Sequence, residues 1–401
     1  MDRRRPSPIT VSGFGGGGCG TRLGAAVCLL LLIGYGVLWS GMVQGLGGAD
    51  GYVRRSPFLA TLTGATLVAH GEGARLYDPD AQATAQTALL DGDPLLTDRQ
   101  SYSEPPFAAV ALAPLVQLDL PATGLFTAWA VLTTTAAGLC VGLLAGGWPT
   151  AQGTPWLLML AATSFLPLIS SLMLGQSGVP ALLGWVGVTV GLKGRHDALA
   201  GLLGGLVALH APSLPALLLL LILARRPRTL AALVSILVVG GAVVTPLLGT
   251  DWPGSYLALL RATPGAWPVG TAWAAPALAA GALVALWRAA PAGDPLPVAW
   301  DRRWASSLLL VVLGLAPFGP PLLLLGLIPG WIFGTHAATG LLSPRARRGW
   351  IAGLAAGYSL GFVAVLAPLA LPPLATLWTL GALAAGLRLL WNAECGVRSA
   401  E

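Results

Sequence analysis

The chain has 401 residues, of which 55% are hydrophobic and only 9% charged, and it carries a net charge of +6. A soluble domain carries about 25% charged residues, so this composition excludes an ordinary water-soluble fold and predicts a protein built for lipid. The basic residues fall in short clusters between apolar runs, which points to membrane topology and away from nucleic acid.

The N-terminus reads MDRRRPSP, then GFGGGGCG, then Arg22 and an apolar stretch from Leu23 to about Gln44. That stretch is long for a signal sequence and no A-x-A site follows it, so it reads as an uncleaved first span. Arg3, Arg4 and Arg5 place the N-terminus in the cytoplasm, with residues 1–22 as a Gly/Arg-rich tail. The apolar runs are continuous rather than alternating, and unpaired backbone cannot face lipid. The predicted class is therefore all-α, a polytopic integral membrane protein.

Residues 45–105 form the one substantial loop. It holds eight of the sixteen acidic residues (Asp50, Glu72, Asp78, Asp80, Asp91, Asp93, Asp98, Glu104) against Arg54, Arg55, Arg75 and Arg99. Few basic residues for its length place it on the outer side. Within it, Phe58–Ala69 and Asp80–Leu90 have apolar positions three and four apart and read as short helices along the membrane surface.

Further spans are expected near 106–118, 122–145, 155–173, 178–192, 197–209, 211–224, 229–249, 271–288, 304–316, 319–334, 350–368 and 373–390, about 10–13 in all. Several are short and broken by Pro212 and Pro215, or by Pro317, Pro320 and Pro321. Such helices survive in lipid only where protein or a cavity covers them. The clusters Lys193/Arg195, Arg225/Arg226/Arg228, Arg302/Arg303 and Arg345/Arg347/Arg348 should all be cytoplasmic. That makes 197–224 a tight hairpin, puts 175–177 outside and leaves 106–118 to be re-entrant. The transmembrane body spans 23–393, followed by a tail over 394–401.

No predicted span holds a mid-membrane Asp, Glu or Lys, which counts against a proton-driven transporter. Asp78-Pro-Asp80 and Asp91-Gly-Asp93 have the spacing of a shared divalent cation, but Asp, Pro and Gly are also plain turn formers, and no metal is assigned. Cys19, Cys28, Cys140 and Cys395 avoid the loop, so no disulfide or metal cluster is expected. No phosphate-binding glycine loop, dinucleotide glycine pattern or nucleophile elbow occurs.

In order, the chain offers SPFLATLTGATLVAHGEGARLYDPDAQATAQ, SYSEPPFAAVALAPL, LMLGQSGVPALLGWV and LHAPSLPALLLLLILARRPR. This succession resembles glycosyltransferase family 87, the polyprenol-phosphate-mannose-dependent mannosyltransferases of the GT-C superfamily. The resemblance covers roughly residues 20–260 and is carried by Phe58, Gly71, Leu76-Tyr77-Asp78, Gln82, Tyr102, Pro105-Pro106-Phe107, Pro114 and Gly175-Gln176. It implies a GT-C-like membrane fold whose first outer loop carries the active site. It also implies transfer of a hexose, mannose above all, from a polyprenyl-phosphate donor to a lipid or glycan acceptor, with inversion. With the composition, it implies a bacterial inner membrane. Two positions depart from the pattern. The family's Asp-Phe pair, whose Asp is the favoured base, is Pro57-Phe58 here, and its Lys-Pro pair is His210-Ala211-Pro212.

Such a reaction needs a carboxylate to take the acceptor proton and cations or N–H donors to hold the leaving phosphate. Asp50, Glu104 and Asp78 are the candidate bases; Asp78 reads equally as a helix cap. Arg54, Arg55 and Arg75, with Arg99, are candidate phosphate contacts, and near lipid they read equally as headgroup contacts. His210 is a phosphate contact or a packed helix end. Gln176 contacts a sugar or joins spans, and Tyr77 and Tyr102 line the substrate side. No cofactor is implied beyond the polyprenyl-phosphate sugar itself. The partners are membrane lipids, the donor and the acceptor. Pro57 equally suits a catalytically silent relative that binds lipid-phosphate sugar, and the many short helices suit a lipid-linked sugar carrier or flippase.

Overall fold

A computed structural model describes residues 18–90, 101–118, 120–146, 162–163, 165–210, 213–262, 274–288 and 297–315, with 325, 327–329 and 331–332 beyond them. Among the described residues the fold is all-helical, with no strand. Asp91, Asp93, Asp98, Arg99, most of the span expected at 319–334, the spans expected at 350–368 and 373–390 and the cluster at 345–348 lie outside the described residues.

Helix α1 runs Gly18–Gly45, so it starts inside the expected glycine tail. Gly47 and Gly48, both at positive φ, turn the chain into α2 (Gly48–Arg55). Then come α3 (Phe58–Ala69) and α4 (Pro79–Leu89), with a single 3-10 turn, Gly73–Arg75, between them. Helix α5 (Pro106–Val116) packs along α3. At 12 and 11 residues these two helices are too short to cross a hydrocarbon core of about 30 Å. Almost all of α3 is buried, so protein encloses it and it does not lie open along a surface as expected.

The chain continues as α6 (Ala122–Gly146), α7 (Leu166–Met173), α8 (Gly178–Lys193) and α9 (Asp197–Gly204). A 3-10 turn, Gly205–Leu209, leads to α10 (Ser213–Leu223), α11 (Pro227–Leu248), α12 (Trp252–Ala262), α13 (Ala274–Arg288) and α14 (Pro297–Leu315). Among the described residues, two helices, Ala122–Leu144 and Pro227–Leu248, are long and apolar enough to cross a membrane. On α11 the large side chains Val234, Val238, Val239, Val243 and Leu247 are exposed, and on α1 Leu29, Ile33, Val37 and Met42 are. Helix α14 begins at Pro297, well before the span expected from 304, because proline is tolerated in a first helical turn.

Close packing holds the bundle. Gly184, Gly187 and Gly191 form a stripe on α8, where a methyl group would meet Val207, Leu203 and Ala200 at 2.9, 2.7 and 2.8 Å. Small residues at such spacing let helices approach until dispersion contacts saturate. Trp185 and Trp304 are fully buried in this core, and the Trp304 indole donates to the Thr189 hydroxyl at 2.9 Å.

Two ion pairs mark one end of the bundle. Lys193 meets Asp301 at 3.3 Å, and Arg226 meets Asp197 at 3.7 Å, closing the 197–224 hairpin. The other end of α8 carries Ser177. A helix of 16 residues separates these two sites by about 24 Å.

Candidate functional site

The site is built at the Ser177 end, on the segment before α5. Glu104 precedes Pro105, an extended residue (φ −58°, ψ 151°), and Pro106 opens α5. Each proline restricts the residue before it, so the two fix Glu104 where the loop meets the helix. Tyr102 anchors the other side of this turn. It is fully buried, its hydroxyl donates to the Pro105 carbonyl at 2.5 Å, and it accepts from the Ala109 amide at 3.2 Å. Its ring lies on Gly64 of α3, where a methyl group would meet the ring at 2.9 Å.

Gln82 of α4 completes the frame. Its buried side-chain amide donates to the carbonyls of Leu76 and Tyr102 at 2.7 and 3.2 Å, and accepts from the Tyr102 amide at 2.8 Å. One side chain thus ties together the segments before and after α4 with its donors and acceptor all in use.

The Glu104 carboxylate is half-buried and reaches two hydroxyls from different helices. Ser177 donates to Oε1 at 2.7 Å, and Thr61 of α3 donates to Oε2 at 3.4 Å. Tyr77 donates to the Glu104 backbone carbonyl at 3.2 Å and stacks on Tyr102 at 6.2 Å. Tyr256 of α12 lies against Tyr77, ring centroids 5.2 Å apart, and its own hydroxyl is buried without a hydrogen-bond partner. Burial raises the Glu104 carboxyl above its ordinary range, with the Ser177 and Thr61 hydroxyls pulling the other way. Among the described residues, no Arg or Lys pairs with this carboxylate. Glu104 is therefore a carboxylate set among hydroxyls and aromatic rings, with a raised proton affinity suited to a base.

The loop that presents Ser177 is itself fixed. The Tyr52 hydroxyl donates to the Met173 carbonyl at 2.7 Å, and the Trp129 indole donates to the Gly175 carbonyl at 2.9 Å. Gly175 has φ +67°, and a methyl group there would lie 2.8 Å from Phe58 Cβ. Both facts require glycine.

Of the residues expected from sequence, the structure brings Glu104, Tyr77 and Tyr102 together. Gln176 is one residue from Ser177, but its amide oxygen accepts from Ser171 at 3.4 Å. The other candidates lie elsewhere. Asp50 is exposed on α2 and paired with Arg54 at 2.8 Å, the spacing of successive helical turns. Arg54 also donates to the Leu90 carbonyl, and Arg55 donates to the Leu46 carbonyl. Asp78 caps α4, accepting from the Asp80 and Ala81 amides at 2.9 and 3.4 Å, and pairs with Arg75 at 3.2 Å. The capping amides, then Arg75, hold its carboxyl below the ordinary range. Arg75 also meets Glu72 at 3.4 Å.

His210 is paired at Nδ1 with the Ser213 hydroxyl, 2.9 Å away, and burial lowers its pKa to about 4. It is neutral at pH 7, which favours the packed helix end over a cationic phosphate contact. Thr61, Ser177 and Tyr256 were not read from sequence. Hydroxyls on apolar helices repeat with no spacing that separates a site residue from one bonded to its own helix. Among the described residues, no group of three or more His, Cys, Asp or Glu side chains is arranged to hold a metal.

Comparison of the chain with known protein families, with characterised proteins and with solved structures finds no match.

Proposed function

We propose that this chain is a polytopic, GT-C-like membrane glycosyltransferase that moves a hexose, mannose first, from polyprenyl phosphate to a hydroxyl acceptor. The carrying observation is the position of Glu104. Its carboxylate meets Thr61, one helical turn along α3 from Pro57, the position where the resembled family has its catalytic Asp. A turn of four residues advances about 6 Å. A carboxylate arriving from the α5 side of the pair thus takes the place of one lost from α3.

In the proposed step the acceptor oxygen attacks the anomeric carbon and a new C–O bond forms. The bond from that carbon to the phosphate oxygen breaks, and the lipid phosphate leaves with the electron pair. The acceptor proton passes to Glu104. A single displacement of this kind inverts the anomeric centre. The raised proton affinity of Glu104 makes it a stronger base than an exposed carboxylate.

The membrane reading draws on the two long apolar helices and the exposed valines of α11. It assigns the Lys193–Asp301 end to the cytoplasm by its basic residues and the Glu104 end to the outer side. The residue resemblance and the Ala/Gly/Leu-rich composition support a bacterial inner membrane.

The test is transfer of labelled mannose from polyprenyl-phosphate-mannose by the full chain in proteoliposomes. Product formation lost in Glu104→Gln and retained in Asp50→Asn supports the reading. Turnover that survives Glu104→Gln overturns the base assignment. Donor binding without turnover in the wild type favours the catalytically silent relative suggested by Pro57.

A further inference from the structure

We propose that the Tyr256 hydroxyl is a substrate-positioning group which, together with Glu104, holds a neutral carbohydrate hydroxyl. The inference rests on the sugar-transfer reading in naming the ligand, and on geometry that was not visible in the sequence.

A buried hydroxyl without a partner is costly, and the Tyr256 oxygen is one. Its ring is nevertheless well placed, tilted 40° against Tyr77, whose own hydroxyl is bonded to the Glu104 carbonyl. The helix that carries it is fixed there too: Trp252, one turn earlier, donates to Thr245 at 3.3 Å and packs edge-on against Phe107 of α5. Tyr256 therefore occupies a fixed place against Tyr77, the tyrosine that bonds the Glu104 backbone, with its hydrogen-bonding capacity unused. Burial first, then the charge of Glu104, keeps its phenol protonated, so it is a donor.

The surroundings select the ligand. A phosphate beside Glu104 meets a like charge, and among the described residues no guanidinium or ammonium group contacts that carboxylate. A sugar hydroxyl meets an acceptor in Glu104 and a donor in Tyr256.

The experiment compares the wild-type full chain with Tyr256→Phe in nanodiscs. Binding of octyl mannoside and of octyl phosphate is measured by calorimetry, melting temperature is recorded, and mannose transfer from the labelled lipid donor is followed in parallel. We expect octyl mannoside to bind Tyr256→Phe about tenfold more weakly, the loss of one good hydrogen bond. We expect octyl phosphate binding to be unchanged and the melting temperature equal or higher, because the variant removes only an unsatisfied hydroxyl. Equal mannoside binding by the two proteins, or none by the wild type, overturns the proposal. So does a larger loss for octyl phosphate, or a lower melting temperature, which would give the hydroxyl a structural role. Transfer that is unaffected by Tyr256→Phe sinks this inference and leaves the transferase reading standing. Tyr256-dependent mannoside binding without any transfer does the reverse.

Discussion

The two ends of α8 treat charge in opposite ways. At its C-terminus Lys193 meets Asp301, a carboxylate that is almost completely buried, and Asp197 meets Arg226 beside it. Each acid there has a cation, and the pairs hold neighbouring helices in register. At its N-terminus Ser177 meets Glu104, and that acid has hydroxyls where the other has an ammonium group. A carboxylate neutralised by a cation is a fixture. One held by hydroxyls keeps a lone pair for a proton, and burial raises the affinity of Glu104 for it. The contrast separates the acid proposed to do chemistry from the acids that hold the fold.

The sharpest way to break the comparison is Glu104→Gln. Removal of a general base lowers transfer by about a hundredfold or more, read as labelled product per minute. The pH profile carries a second signature. Because burial raises the folded pKa of Glu104, the wild-type rate should climb with pH through a value above the ordinary glutamate near 4.3. Stability moves in the opposite sense. The folded state holds the proton more tightly than the unfolded one, so this group stabilises fully below the unfolded pKa and loses that contribution as pH rises through the folded pKa. Glu104→Gln should therefore flatten the fall in melting temperature over that window.

Next in size is Gly175→Ala. The φ of +67° strains any side chain, and the added methyl group lies 2.8 Å from Phe58 Cβ. A loss of roughly 2 kcal/mol is expected in denaturant unfolding, from backbone strain and overpacking together. Because Gly175 sets the loop that carries Ser177, transfer should fall as well. A variant with wild-type stability would show that this end of α8 is less rigidly built than the opposite one.

How much of this was legible follows from the kind of signal each part leaves. Phe58–Ala69, Pro79–Leu89 and Gly178–Lys193 stand out because apolar runs end at proline, glycine or charge. Helices α2 and α12 were not read, since Gly47, Gly48 and Gly51 interrupt one and Pro253-Gly254 the other. The Asp50–Arg54 spacing was a usable sign of α2. At the site, Glu104 before two prolines was visible as a constrained acid. The described loop arginines, Arg54, Arg55 and Arg75, proved to be engaged elsewhere, with Asp50, with Glu72 and Asp78, or with backbone carbonyls, because short helices satisfy their charges locally. Tyr256 reaches the site only through the packing of α12 against the loop, a long-range event that local patterns do not encode.

At the other end, Lys193→Met should lower stability by about 1–2 kcal/mol, the cost of taking the cation away from a largely buried carboxylate, discounted for the partial exposure of Lys193. Thermal unfolding in detergent reads this directly. Transfer per folded molecule should stay at the wild-type level, since about 24 Å of helix separates the pair from Glu104. A fall in turnover without a fall in stability would mean that the two ends are coupled.

The smallest effect is expected at Asp78, which sharpens the comparison within the loop itself. Its carboxylate caps α4 and pairs with Arg75. Asp78→Asn keeps an acceptor for the Asp80 and Ala81 amides and should leave both melting temperature and transfer close to wild type. Asp78→Ala removes the acceptor and should lower the melting temperature slightly, with transfer per folded molecule retained. The sign with pH is the reverse of that at Glu104. The folded pKa is depressed, so the cap contributes fully above the unfolded aspartate value near 3.9 and fades as pH falls through the folded pKa. Wild type and Asp78→Ala should therefore converge in melting temperature in acid, while wild type and Glu104→Gln diverge as pH rises. Loss of turnover in Asp78→Asn with the cap intact would move the base from the carboxylate among hydroxyls to the one beside an arginine, and with it the division of roles between the two kinds of acid.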